Sequence, residues 1–229
     1  MSFTNHNRFL FILVLFASYF TQGQDAVIGY WQPQIGINYT VAPNYSHNFS
    51  LAKRTFVFRD SETEFTIRQL DLAHFSNLKI RGNQSVGFGI QYRFSGFFDA
   101  TRENELRLVQ QYNITKSDRG LRLGHRLRSE QRITNSATIH RFRYRFALDF
   151  PLQGESLDIG ETYLVLSTES LWSVATATHP EYDQRIKANL GWMLDQNTKI
   201  QIGTEYRAEN YTQETGHVFF LLTSLVLSL

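Results

Sequence analysis

Apolar and polar residues alternate with a period of two along most of this chain, and past residue 23 no stretch carries a helical repeat. In Ser85 to Ser95 (SVGFGIQYRFS), Val86, Phe88, Ile90, Tyr92 and Phe94 point one way; Ser85, Gly87, Gly89, Gln91 and Arg93 point the other. Side chains on a strand alternate between its faces, so this segment is a strand with one apolar face. Ile139 to Phe150 repeats the pattern, with Phe142, Tyr144, Phe146, Leu148 and Phe150 opposed to Arg141, Arg143, Arg145 and Asp149. Leu121 to Arg132 sets Leu121, Leu123 and Leu127 against Arg122, Gly124, Arg126, Arg128, Glu130 and Arg132. Glu105 to Ile114, Arg185 to Met193 and Lys199 to Arg207 follow suit. Less regular strands are expected at Ile28 to Tyr39, Asn48 to Phe58, Phe65 to Ile80 and Thr162 to Leu171, with a last strand at His217 to Leu229.

These segments number eleven, whereas bacterial single-chain barrels normally have an even count. The expectation is therefore ten to twelve strands, with twelve favoured and the miscount placed before Ser85, where Pro33 interrupts the weakest alternation. Polar turns separate the strands, so the fold class is all-β: one antiparallel up-and-down barrel, closed to remove its edges.

The charged face decides what each side of the barrel meets. A turn centred between Asn135 and Ser136 pairs Glu130 with Arg141, Arg128 with Arg143, Arg126 with Arg145 and Arg122 with Asp149. Like charges directly opposite one another destabilise an open sheet. A closed lumen supplies the missing partners, with Glu105 and Glu169 projecting into the same space to bind guanidiniums. A turn centred on Gln196 likewise sets Lys187 opposite Glu205 and Arg185 opposite Arg207. The expected barrel is thus inside-out, with apolar residues facing lipid and an arginine-rich lumen. Tyr30, Trp31, Tyr112, Phe150, Tyr163, Trp172, Tyr182, Trp192 and Tyr206 are candidates for interfacial girdles.

At the N-terminus, His6 and Arg8 precede an apolar run from Phe9 to Phe20 and small residues up to Gly23. The run is shorter than the roughly 20 residues of a membrane-spanning helix, and the pattern is that of a cleaved signal peptide. The expected organisation is residues 1–23 as signal peptide and 24–229 as one barrel domain, exported to the cell outer membrane.

The order of features resembles an uncharacterised family of Gram-negative outer-membrane β-barrels, a domain of unknown function. The residues that carry the resemblance are the Gly29-Tyr30-Trp31 strand, the glycine-rich Gly87 to Phe94 strand and the RLGHRLRSEQRI and RFRYRFAL hairpin. TYLVLSTES with Glu169, YDQRIKANLGW with Arg185 and the apolar terminal strand complete it. The resemblance implies location and fold over the mature chain, and no established reaction.

Composition narrows the remaining chemistry. Cysteine is absent, which excludes disulfides, thiolate metal sites and thiol nucleophiles. With 23 basic and 21 acidic residues and no polybasic block, nucleic acid is not an expected partner. His47, His74, His179 and His217 are scattered, so no metal or other cofactor is expected. The candidate site is a lumen charge network of Arg122, Arg126, Arg128, Glu130, Arg141, Arg143 and Arg145, with Glu105, Glu169 and Arg185 as partners. A structural plug is preferred for it over a ring selecting anions.

The expected function is a non-enzymatic outer-membrane barrel, structural or a narrow channel. Its expected partners are outer-membrane lipid and lipopolysaccharide, the barrel assembly machinery and small anionic solutes. One alternative is a lipid-modifying enzyme of phospholipase or acyltransferase type, for which His125 and His140 on the apolar face, with Ser129, are the candidates. No Gly-x-Ser-x-Gly elbow accompanies them. A second alternative is a soluble periplasmic barrel that binds a small ligand.

Overall fold

The computed structural model describes residues 27–59, 62–176 and 178–229; the expected signal peptide lies outside the described residues. Among them there is no helix, only twelve strands: β1 (Val27–Ala42), β2 (Tyr45–Arg59), β3 (Glu62–Thr63), β4 (Ile67–Arg81), β5 (Gln84–Phe94) and β6 (Glu105–Asp118) are followed by β7 (Leu121–Ile133), β8 (Thr138–Pro151), β9 (Thr162–Ala175), β10 (Glu181–Met193), β11 (Thr198–Glu209) and β12 (Gly216–Ser228). Each of the eleven expected segments is a strand. Neighbours in sequence pair antiparallel around a cylinder that the β1–β12 pair closes, while the two-residue β3 only extends the end of β2.

The cylinder itself therefore has eleven strands, and its odd count departs from the even number favoured for bacterial barrels. In a meander every strand reverses the last, so with an odd count the first and last run the same way. The closing seam is accordingly parallel, from Val27 opposite His217 to Asn38 opposite Ser228. Val27 and Leu229 lie at opposite ends of the cylinder as a result. At the Leu229 end, four of the five connections are two to four residues long. One of these is Arg119-Gly120, where both residues adopt positive φ (44° and 78°), the geometry of a tight hairpin whose twist matches its strands.

Both hairpin registers expected from turn position are present. Arg122, Arg126, Arg128 and Glu130 face Asp149, Arg145, Arg143 and Arg141, and Lys187 and Arg185 face Glu205 and Arg207. Burial follows the alternation. On β5 the whole apolar face of Val86, Phe88, Ile90, Tyr92 and Phe94 is exposed, and Leu127, Phe142, Tyr144 and Ile186 are exposed on later strands. Glu130, Arg141, Asn189 and Arg207 are buried inside. Surface and core have exchanged the polarity usual in a water-soluble domain.

The interior is not uniformly polar. Tyr30, Phe56, Val218, Phe220 and Leu222 form a buried apolar cluster on the inner wall beside the seam. Tyr30 is thus no girdle residue: its ring lies 4.8 Å from Phe56 and 5.1 Å from Phe220, and Arg68 hydrogen-bonds its hydroxyl. Tyr163 also leaves the girdle set, since it is buried and its hydroxyl accepts from Gln201 Nε2 at 2.8 Å. Trp31, Trp172, Tyr182 and Trp192 are exposed on the outer face. On β12 the outward Phe219, Leu221, Leu225 and Leu227 alternate with inward Val218, Phe220 and Leu222, so this strand is apolar on both faces where it lines the cluster.

Inward glycines make room for inward side chains. A methyl group at Gly191 would strike the Tyr163 ring, and one at Gly203 would strike Asn189 and the backbone oxygen of Ala188; at Gly36 it would meet nothing within 4 Å. We expect Gly203→Ala to destabilise the barrel by about 1–3 kcal/mol, because backbone must move. Gly36→Ala is expected to be neutral or slightly stabilising. Denaturant unfolding of the two variants, folded in the same detergent, checks the contrast.

Candidate functional site

All ten residues of the expected charge network project into the lumen or onto its inner wall. Its centre is Glu130, whose side chain is only 2% exposed. Arg143 Nη2 reaches its Oε2 at 2.8 Å, and Arg128 Nη1 stands 3.7 Å from Oε1. Arg143 also turns Nη1 to Glu169 at 3.5 Å, and Glu169 draws Arg185 to 3.7 Å. One chain of charge therefore crosses four strands, from β7 through β8 and β9 to β10. At the mouth by the Arg119-Gly120 turn, Arg122 pairs with Asp149 at 2.7 Å.

Glu105 belongs to a second cluster. Arg132 donates to its Oε2 through Nε at 3.0 Å and Nη2 at 2.6 Å, Arg107 pairs with its Oε1, and Arg93 stands 4.0 Å away. Arg93 is itself held by two hydrogen bonds to Asp71, at 2.7 and 2.9 Å. Arg185 also pairs with Asp183 at 3.6 Å, and on the neighbouring strand Arg207 pairs with Glu205. The expected network omits Asp71, Arg93, Arg107, Asp183, Glu205 and Arg207. Each sits on a polar face, and Glu205 and Arg207 already share the hairpin register with Lys187 and Arg185; that Asp71 meets Arg93 and that Arg107 joins Glu105 depends on side-chain contacts that alternation alone does not give.

Three residues are placed differently from the paired arrangement expected of them. Arg141 lies opposite Glu130 in register yet donates from Nε to Ser173 Oγ at 2.7 Å. Arg126 donates from Nε to Asn113 Oδ1 at 2.9 Å, an amide and not a carboxylate. Arg145 lies opposite Glu169, but among the described residues no acceptor meets it, and its Nε is buried without a partner.

Aromatic rings take up the cations near the seam. Arg207 lies 3.9 Å from the Phe220 centroid and Arg54 lies 4.8 Å from it. Arg68 approaches Tyr30 and Phe56 at 5.3 and 5.5 Å. Each such contact contributes about 0.5–1 kcal/mol when exposed and about 2 kcal/mol where water is excluded. Beside this filled region a cavity of about 1000 Å³ remains, lined by fourteen Lys and Arg side chains against seven carboxylates.

The histidines divide. His125 Nδ1 is 2.9 Å from the Tyr144 hydroxyl, and Ser129 is approached by Gln131 at 3.4 Å; among the described residues no hydrogen bond joins His125 or His140 to Ser129. His47 and His74, which appear scattered in sequence, are brought together on neighbouring strands: Nδ1 of His47 lies 3.0 Å from Nε2 of His74 and 3.1 Å from Ser76 Oγ. Among the described residues no third His, Cys, Asp or Glu joins them in a cluster able to hold a metal ion.

A family model described as "Protein of unknown function (DUF2490)" matches residues 28–217, which runs from the first strand of the barrel into the last. The chain belongs to this family. The match covers every residue of the charge network, so the lumen described above is the interior of a DUF2490 domain. Among curated proteins, none matches the chain.

Removing the charge of Glu130 while keeping its shape isolates its role. Breaking a buried pair by neutralising one partner leaves an uncompensated charge and typically costs about 3–5 kcal/mol. We expect Glu130→Gln to lose stability of that order, and Glu209→Gln, at the partly exposed end of its own cluster, to lose far less. Urea unfolding monitored by tryptophan fluorescence gives both values.

Proposed function

We propose that this protein is an outer-membrane β-barrel, exported by its N-terminal signal peptide and inserted with its apolar belt in lipid. The single observation that carries the reading is the exchange of polarity: exposed rings and aliphatics outside, buried guanidiniums and carboxylates within. In water that exterior is a far larger apolar surface than soluble monomers show; in a bilayer it is what lipid requires, and the closed ladder leaves no unpaired edge. The closed hydrogen bonding and the exposed tryptophans Trp31, Trp172 and Trp192 fit the same reading.

The lumen network is structural in this account. Carboxylates bridge arginines on successive strands and hold the cylinder's shape, and the space they leave admits at most a narrow channel for small solutes. The protein works without catalysis; its partners are outer-membrane lipid, lipopolysaccharide and, during insertion, the barrel assembly machinery.

Expressed in a Gram-negative host, the chain should fractionate with the outer membrane and show a heat-dependent mobility shift in detergent gels. Recovery in the soluble periplasmic fraction would contradict membrane insertion and favour a soluble barrel. In planar bilayers a narrow channel gives a small conductance whose ion selectivity changes when Arg126 or Arg143 is reversed in charge. Silence at every voltage leaves the structural barrel alone.

A further inference from the structure

On β7 and β8 three successive inward rows run down from the mouth: Arg122 with Asp149, Gly124 with Ala147, and Arg126 with Arg145. The top row is an ion pair. The middle row has almost no side chain, and it continues across β9 and β10 as Ser167 and Lys187. A methyl group at Gly124 would touch nothing nearer than the Ala147 β-carbon at 3.9 Å. The bottom row sets two guanidiniums against each other.

That bottom row differs from the row beneath it. Arg128 and Arg143 are also directly opposed, but Glu130 lies between them and Glu169 reaches Arg143. Arg126 and Arg145 have no carboxylate oxygen within 4.0 Å among the described residues, and neither does Lys187. Glu169, the register partner of Arg145, is turned to Arg143 and Arg185, and Glu205, the register partner of Lys187, is turned to Arg207. Three cations thus line the cavity around the small middle row, a recess whose lower row is Arg126 and Arg145 and whose middle row ends in Lys187 beyond Ser167.

Opposed like charges cost stability unless something sits between them, and guanidinium forks match the oxygens of phosphate or carboxylate. The geometry points to an oxyanion-binding site in this recess, formed by Arg126, Arg145 and Lys187 and entered from the mouth at Arg122, with phosphate or a soluble phosphate monoester as the fitting ligand class. This site rests on the lumen geometry and not on where the barrel resides, so it stands or falls separately from membrane insertion.

Isothermal titration of the folded protein in detergent with inorganic phosphate tests it, alongside Arg145→Gln, Arg126→Gln and the control Arg102→Gln, whose arginine lies in a loop beside Asp99. Phosphate should bind the wild type, about tenfold or more weaker in each lumen variant because a charge-assisted hydrogen bond is lost, and unchanged in the control. Without phosphate, Arg145→Gln should melt at or above the wild-type temperature, since it relieves repulsion and breaks no ion pair. No binding to wild type at millimolar phosphate overturns the site, as does equal binding by all four proteins. A lower melting temperature for Arg145→Gln alongside unchanged phosphate affinity would make that arginine structural. A response to phosphatidic acid micelles with none to inorganic phosphate would move the ligand to the outer surface and equally overturn the proposal.

Discussion

Charges enclosed by a β-cylinder must be neutralised within it, and the arrangement of this barrel follows from that constraint. Moving an ion out of water costs several kcal/mol even after relaxation, and the cost is recovered only through close, well-directed partners. Glu130, Glu105 and Glu169 each stand among several guanidiniums, and each of those arginines comes from a different strand or a different row. Such bridges tie strands together across the lumen wall in addition to the backbone ladder. They also fix register, because slipping a strand by one residue would turn its arginines outward and its rings inward.

Not every inward cation is met by a carboxylate, and the alternatives vary with position. Near the parallel seam, where Val218, Phe220 and Leu222 make the inner wall apolar, Arg54 and Arg68 lie over aromatic rings. Farther around, Arg126 and Arg141 reach amide or hydroxyl oxygens of Asn113 and Ser173. Small inward residues set where space remains. The filled region around Tyr30, Phe56 and Phe220 and the open space beside Gly124 and Ala147 therefore have the same origin, the size of the side chains that alternate inward.

Hairpin registers were legible in the sequence because they need only two facts, the alternation and the turn position. Arg122 opposite Asp149 and Lys187 opposite Glu205 follow directly. Contacts between distant segments were not legible. Phe56 meets Phe220 through Tyr30 only once the first and last strands close the cylinder, and this closure makes Tyr30 an interior residue. His47 and His74, 27 residues apart, meet because β2 and β4 pair across a connection of irregular length. Within the charge network, alternation gave the face of Glu105 and Glu169, but partner choice depended on side-chain reach: Glu169 lies opposite Arg145 and is bonded to Arg143. Strand number was similarly difficult, since the even count usual in bacterial outer-membrane barrels does not hold here and only the paired seam reveals the parallel closure.

The chain has no cysteine, so single cysteines introduced along β5 can test whether its apolar face meets lipid. Fluorophores attached at Phe88→Cys and Ile90→Cys, in vesicles containing acyl-brominated lipid, should be strongly quenched, while those at Ser85→Cys and Gln91→Cys should not. Quenching that ignores this alternation, or that favours Ser85 and Gln91, would contradict an apolar exterior in contact with hydrocarbon.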